Sequence, residues 1–199
     1  MKCYYDLHIH SVLSPCADVL MTPQNIFNMA MLKGLDIISI TDHNSLKQIP
    51  LCIEIAKSYD MLFIPGVEVT VKEGIDILVY FKHVSDAMAF DRYLETFLEK
   101  KQIDLNIYNE QCICDIYDEC IDKYPYLLSQ KTKLSLEEMM TYLAYIDHVM
   151  IYAHIDRYFD KVKPLIEKYP LNGISYYKKK IFFDKNLLHH SMHIRLQIF

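Results

Sequence analysis

Tyr4-Tyr5-Asp6-Leu7-His8-Ile9-His10 is the first strand-like run of the chain, and Leu35-Asp36-Ile37-Ile38-Ser39-Ile40-Thr41-Asp42-His43-Asn44 repeats its logic. Each is a short apolar run that closes on histidine. In a strand, residues i and i+2 share a face, so His8 and His10 can present both imidazoles to one point. His43 closes the second run in the same way. Two polar, His-bearing strand ends so early in the chain predict a metal centre. They also predict that strand ends converge there, as on one face of a barrel.

Working outward, the first 85 residues alternate strand and helix. Tyr4–His10 reads as a strand, and Ser14-Pro15-Cys16-Ala17-Asp18 as a loop. Thr22-Pro23 places an N-cap before a proline at the first helical position, and Gly34 ends the helix Pro23–Lys33. Leu35–Thr41 is a buried strand. Ser45–Tyr59 reads as helix with a break expected at Pro50. Leu62-Phe63-Ile64 is a short strand, Pro65–Thr70 carries Glu68, and Ile75–Phe81 is a further strand. The β-α-β-α-β order argues for a parallel sheet or barrel. Beyond it, Ser85–Lys100 is an amphipathic helix. Residues 101–133, polar and tyrosine-rich, read as an insertion with short helices or a hairpin, not a second domain. Ser135 caps a helix Leu136–Ile146, Val149–Ala153 is a strand ending in His154, and Val162–Lys168 is a short helix before a strand Ile174–Tyr177. The tail from about residue 181 is atypical.

The 199 residues suit one domain with a core, at 52% hydrophobic and 24% charged. A formal charge of −5 gives no global pull toward nucleic acid, although a local Arg or Lys can still hold one phosphate. Met1–Asp6 lacks the apolar stretch of a signal peptide, and no run approaches the ~18–20 apolar residues that span a bilayer. A cytoplasmic protein with no membrane partner is the expectation. Of the six cysteines, Cys112, Cys114 and Cys120 could share an ion, but a fourth ligand at zinc-site spacing is missing. Free thiols are the plainer reading. Composition does not reveal an oligomeric state.

The polar residues at strand ends are His8, His10, His43, Glu68, Asp76 and His154, with Asp18 in the loop after the first strand. Taken singly, each has a plainer role. His43 could cap a helix, Glu68 could be a solvated strand end, and His154 could be structural. Asp76 is harder to dismiss, since burying a bare carboxylate costs several kcal/mol. Recurrence at one topological position favours ligands, and imidazole with carboxylate suits zinc, manganese or iron. The set fits two or three divalent ions sharing a bridging carboxylate.

Asp6-Leu7-His8-Ile9-His10-Ser11, Met21-Thr22-Pro23, Gly34-Leu35-Asp36, Ile40-Thr41-Asp42-His43-Asn44, Pro65-Gly66-Val67-Glu68 and Ala153-His154-Ile155-Asp156-Arg157 together resemble the polymerase-and-histidinol-phosphatase (PHP) family. The resemblance runs from residue 2 to about residue 160. It implies a distorted (β/α)7 TIM-like barrel, incomplete at the C-terminus if the tail departs, with two or three metal ions at the strand ends. By position it implies His8, His10 and Glu68 on one ion. Glu68, Asp76 and His154 would hold a second, and Asp18 with His43 a third. Arg157 would hold substrate phosphate, while Asp42 and Asp156 would orient imidazoles or accept protons. The chain departs from the family at Asp76, where histidine is usual. It also lacks the closing Asp-x-His, for which Ser191-Met192-His193 offers only His193.

The resemblance implies hydrolysis of a phosphate ester by water activated on clustered divalent ions, without a protein nucleophile. The Thr-Pro helix and Ala-His-x-x-Arg point to a nucleotide or oligonucleotide 5′ end. Alternatives are a histidinol-phosphate-type phosphatase, a degenerate domain that binds metal or nucleotide without turnover, and an amidohydrolase-type barrel. The last lacks its usual bridging lysine, whose place Glu68 takes.

Overall fold

The structure, a computed structural model, describes residues 2–176 and the backbone of 192–195. The elements in order are β1 (Tyr5–Ile9), α1 (Pro23–Leu32), β2 (Ile37–Ile40), α2 (Ile49–Ala56), β3 (Leu62–Phe63), β4 (Gly66–Thr70), β5 (Asp76–Phe81) and α3 (Val84–Glu95). Then come β6 (Cys112–Cys114), β7 (Cys120–Lys123), α4 (Leu136–Leu143), β8 (His148–Tyr152), α5 (Ile155–Lys168), β9 (Gly173–Tyr176) and β10 (Met192–Arg195).

β1, β2 and β3 form a parallel sheet in that order, and a second sheet runs β4-β5-β8-β9-β10. The two are stitched where β2 runs out. His43 bridges Glu68 in parallel register, Asn44 N donates to Glu68 O at 2.8 Å, and Glu68 N donates to Asp42 O at 3.2 Å. β3 and β4, separated by Ile64-Pro65, therefore occupy one position beside β2. This stitch brings the ends of β1 and β2 to the middle of β4, where Glu68 sits.

β5 corrects the expected parallel order. It is antiparallel to both β4 and β8. A parallel crossover needs about a dozen residues or more, and the link from β4 to β5 is only a tight turn through Gly74 at φ +73°. Among the described residues no pairing joins β10 to β1, so the expected closed barrel is not observed. The mixed α/β class is.

The core follows from strand alternation. Val67, Val69, Ile77, Val79, Phe81 and Tyr152 pack with Phe27, Ile49, Phe90, Met139 and Leu143 from the helices. Glu68 lies opposite Leu78 in the ladder, on the other face, where Leu78, Tyr80, Ile151 and Ala153 form a smaller cluster. Gly66 is needed at the start of β4. A Cβ there would press into Ser39 Oγ and lie 2.8 Å from Thr41 Cγ2.

Other expectations shift at element ends. Pro50 does not break α2 but stands in its first turn, where its missing N–H costs nothing. α3 stops at Glu95 instead of Lys100. α5 begins directly after His154, well before residue 162. The cap at Ser135 is a full capping box with Glu138. Within residues 101–133, the β6–β7 hairpin is present and no helix is seen. No helix among the described residues is long and apolar enough to cross a membrane. The tail from residue 181 lies outside the described residues, apart from the β10 backbone, in which His193 pairs with Ile174.

Candidate metal centre

Glu68 is 1% exposed and carries the centre. His8 Nε2, His10 Nε2 and His43 Nδ1 lie 3.3, 3.1 and 3.2 Å from its Oε2, and His154 Nε2 lies 3.0 Å from its Oε1. Yet neither carboxylate oxygen accepts a hydrogen bond, because the nitrogens converge without the alignment one requires. His8 Nε2 and His10 Nε2 face each other at 3.2 Å. A buried carboxylate surrounded by imidazoles, with its lone pairs unclaimed, fits a divalent cation and is costly without one.

The protonation states agree with that use. Burial would raise the Glu68 carboxyl, but His8, His10 and His154 hold it well below the usual range. Burial lowers His8, with Glu68 only partly opposing. Burial, with His10, takes His43 down to about 3. For His10 burial also disfavours the charge, but Glu68 and Asp42 outweigh it and raise its pKa. An ionised Glu68 beside neutral His8 and His43 is the state in which these groups ligate metal, and at His10 a cation would have to displace the proton that Glu68 and Asp42 favour.

A relay behind the cluster orients it. Asp42, buried, accepts Ser11 N at 2.7 Å, Ser11 Oγ at 2.6 Å and Ser14 Oγ at 2.7 Å. Ser14 Oγ in turn accepts His43 N at 3.0 Å and lies 3.0 Å from His10 Nδ1. Since the Ser14 proton goes to Asp42, its oxygen is the acceptor for His10 Nδ1–H. That fixes the His10 tautomer and leaves Nε2 with a lone pair turned toward Glu68. His154 sits at φ +46°, a left-handed conformation uncommon outside glycine, as its N–H donates to Ser175 Oγ at 3.2 Å.

Two trios could each hold an ion: His8, Glu68 and His154, and separately His10, Cys16 and His43. The other expected ligands are not members of these trios, although the Asp76 charge is felt at His10. Asp76 is buried at the start of β5, where its Oδ1 accepts Thr70 Oγ1 at 2.6 Å. Asp18 is exposed and turns back to accept Leu20 N at 2.9 Å. Asp156 and the exposed Arg157 occupy the first turn of α5, next to His154. The His193 side chain lies outside the described residues. Cys16, Ser11 and Ser14 were not expected. The available signal was their place in the loop that directly follows His10. Burial and the charge of Glu68 push the Cys16 thiol up.

The fold and cluster define a mixed α/β protein with a histidine-carboxylate centre at its strand ends. The chain belongs to the PHP domain family, whose model matches residues 6–197. No curated protein matches it in sequence. Among solved structures it is similar to a lesion-specific endonuclease of Pyrococcus furiosus, at 19% identity and TM-score 0.66 over 98% of this chain and 48% of that one. It is similar to a Bifidobacterium adolescentis protein provisionally assigned as a metal-dependent phosphoesterase, at 15% identity and TM-score 0.59 over 98% and 87% of the two chains. A third is an amidohydrolase of Chromobacterium violaceum with bound sulfate and no metal, at 18% identity and TM-score 0.57 over 87% and 76%. At such identities the likeness establishes the fold. The chain spans about half the length of the Pyrococcus furiosus endonuclease.

Proposed function

We propose that this chain hydrolyses a phosphate ester at the Glu68 centre, with a nucleotide or the 5′ end of an oligonucleotide as substrate. The observation that carries the reading is the buried Glu68 carboxylate, ringed by four imidazoles and left without a hydrogen bond. Divalent zinc, manganese or iron held there would supply Lewis-acid stabilisation of the phosphoryl oxygens and lower the pKa of the attacking water. Glu68, His8 and His154 would hold one ion and His10 with His43 another, so that Glu68 bridges. Asp42 keeps His10 in its ligating tautomer through Ser14. Arg157 would hold a phosphoryl oxygen from the first turn of α5, whose positive N-terminal end starts beside His154. Asp156, in the same turn, would accept or relay a proton. The family pattern would add Asp76, Asp18 and His193 to this set. The same reading takes residues 1–199 as a single domain, its strands as an opened (β/α)7-type barrel and 101–133 as an insertion. It also places the protein in the cytoplasm. The fold shared with a lesion-specific endonuclease supports a nucleic-acid end over histidinol phosphate.

The test is hydrolysis of the p-nitrophenyl ester of thymidine 5′-phosphate, of a 5′-phosphorylated oligonucleotide and of histidinol phosphate, each with added zinc or manganese. The reading predicts turnover of the nucleotide substrates, abolished by chelator and reduced by about three orders of magnitude in Glu68→Ala. Turnover confined to histidinol phosphate overturns the substrate assignment. Stoichiometric metal with no turnover of any ester overturns the enzyme and leaves a binding domain.

A further inference from the structure

We propose that Cys16, in place of Asp18, is the third protein ligand of a cation held by His10 and His43, and that its sulfur biases this position toward zinc over manganese. The proposal deepens the reading of the Glu68 centre as a metal site and rests on it. Ligand atoms of His10, Cys16 and His43 all lie within 4.8 Å of one another. Bonds of about 2.0–2.1 Å to nitrogen and about 2.3 Å to sulfur would draw such a trio onto one tetrahedral ion. His43 Nδ1 is buried there with no hydrogen-bond partner.

The loop that carries the thiol is braced on both sides of it. Asn109 N donates to Pro15 O at 3.1 Å, and Asn109 Nδ2 donates to Ala17 O at 2.8 Å. Residues 101–133 thus hold Cys16 against the cluster. Cys16 also lines the cavity between β1 and α1 that His8 and His10 line, which gives an ion a route to the sulfur. Asp18, by contrast, points its carboxylate at Leu20 N. The chemistry separates the two choices. Thiolate favours zinc, whereas carboxylate suits manganese and magnesium. On coordination the thiol gives its proton to solvent, and one S–metal bond forms.

The full chain, stripped with chelator, is titrated with cobalt(II) while its near-ultraviolet and visible spectra are recorded. The proposal predicts a thiolate-to-cobalt charge-transfer band. The band is lost in Cys16→Ser, retained in Asp18→Ala and retained in Cys120→Ser. Zinc is expected to protect Cys16 from iodoacetamide, and Cys16→Asp to shift the zinc-over-manganese preference toward manganese. Cobalt bound with d–d bands but no charge-transfer band overturns this proposal alone. So does a band that survives in Cys16→Ser. Absence of any bound cobalt overturns both this proposal and the metal centre beneath it. Circular dichroism of each variant shows whether a lost band reflects a lost fold, in which case protection of the native thiol by zinc decides.

Discussion

Ser14→Ala tests whether the relay behind the cluster does what its geometry implies. Ser14 is fully buried and its hydroxyl makes three hydrogen bonds: it donates to Asp42 at 2.7 Å, and accepts from His10 Nδ1 and His43 N at 3.0 Å each. Alanine removes a charge-assisted bond worth about 1.5–3 kcal/mol and orphans two donors, each at about 1–3 kcal/mol. These losses share one site and do not add in full, so the net is about 3 kcal/mol. For a chain of this length that corresponds to a fall in Tm of about 6–12 °C in chelator-treated protein. It also frees the His10 tautomer, which lowers zinc affinity by about 10–100-fold. Thermal unfolding followed by circular dichroism reads the first effect, and competition with a chromophoric chelator the second. Ser11→Ala is the control. It also takes a donor from Asp42, but the Ser11 hydroxyl makes no hydrogen bond to the His10 ring, so the change should lower Tm while leaving zinc affinity largely intact. Unchanged zinc affinity in Ser14→Ala, or an equal loss in both variants, would refute the relay.

Gly66→Ala drives a methyl toward Thr41 and Tyr80, at 2.8 and 3.1 Å. It should cost about 1–3 kcal/mol in urea unfolding, and an unchanged midpoint would show that β4 can move away. Asn44→Ala removes an amide that donates to Leu128 O at 2.6 Å and Gln130 O at 2.7 Å and whose Oδ1 accepts Thr70 N at 3.0 Å. Its loss at φ +50° should cost about 3 kcal/mol and first expose residues 101–133 to hydrogen exchange; uniform exposure would contradict that assignment. His43, held neutral with its pKa near 3, should weaken the metal-free fold as pH falls below 6.5, since the unfolded chain then binds the extra proton. His43→Asn should therefore gain on the native chain by up to about 2 kcal/mol between pH 6.5 and 5, and parallel pH profiles would refute the shift. Asp6 acts with the opposite sign. Burial raises it to about 6, so its penalty is present above that pH and relieved as pH falls toward 3.8; Asp6→Asn should lose ground to the native chain over that window.

The parts of the centre that were legible are those set by local periodicity. His8 and His10 share a face because strands repeat every two residues, whereas Glu68, expected at a strand end, sits in the middle of β4. His43 and His154 close apolar runs. The antiparallel β5 was not legible in its residues, because a buried run reads alike in either direction. The link between Thr70 and Asp76, too short for a crossover, was the usable signal. Pro50 is ambiguous in sequence because proline begins helices as readily as it ends them. Cys16 and Ser14 carry no periodicity. Their positions depend on hydrogen bonds to Asn109 and Asp42, distant in sequence, which a local reading does not contain. Asp18 and Asp76 have the right chemistry for ligands, and the structure adds what their residue type does not show: Oδ1 of Asp18 accepts Leu20 N in its own turn, and Oδ1 of Asp76 accepts the Thr70 hydroxyl across the strand pair.

The central claim is that Glu68 joins two adjacent cation positions. It is tested most directly by counting ions per chain, by elemental mass spectrometry after equilibration with zinc and with manganese, in the native chain and in Glu68→Ala. The account predicts at least two ions per native chain, one for each converging trio, and a clear loss in the variant. One ion or none in the native chain under both conditions, or a count that Glu68→Ala leaves unchanged, would contradict it.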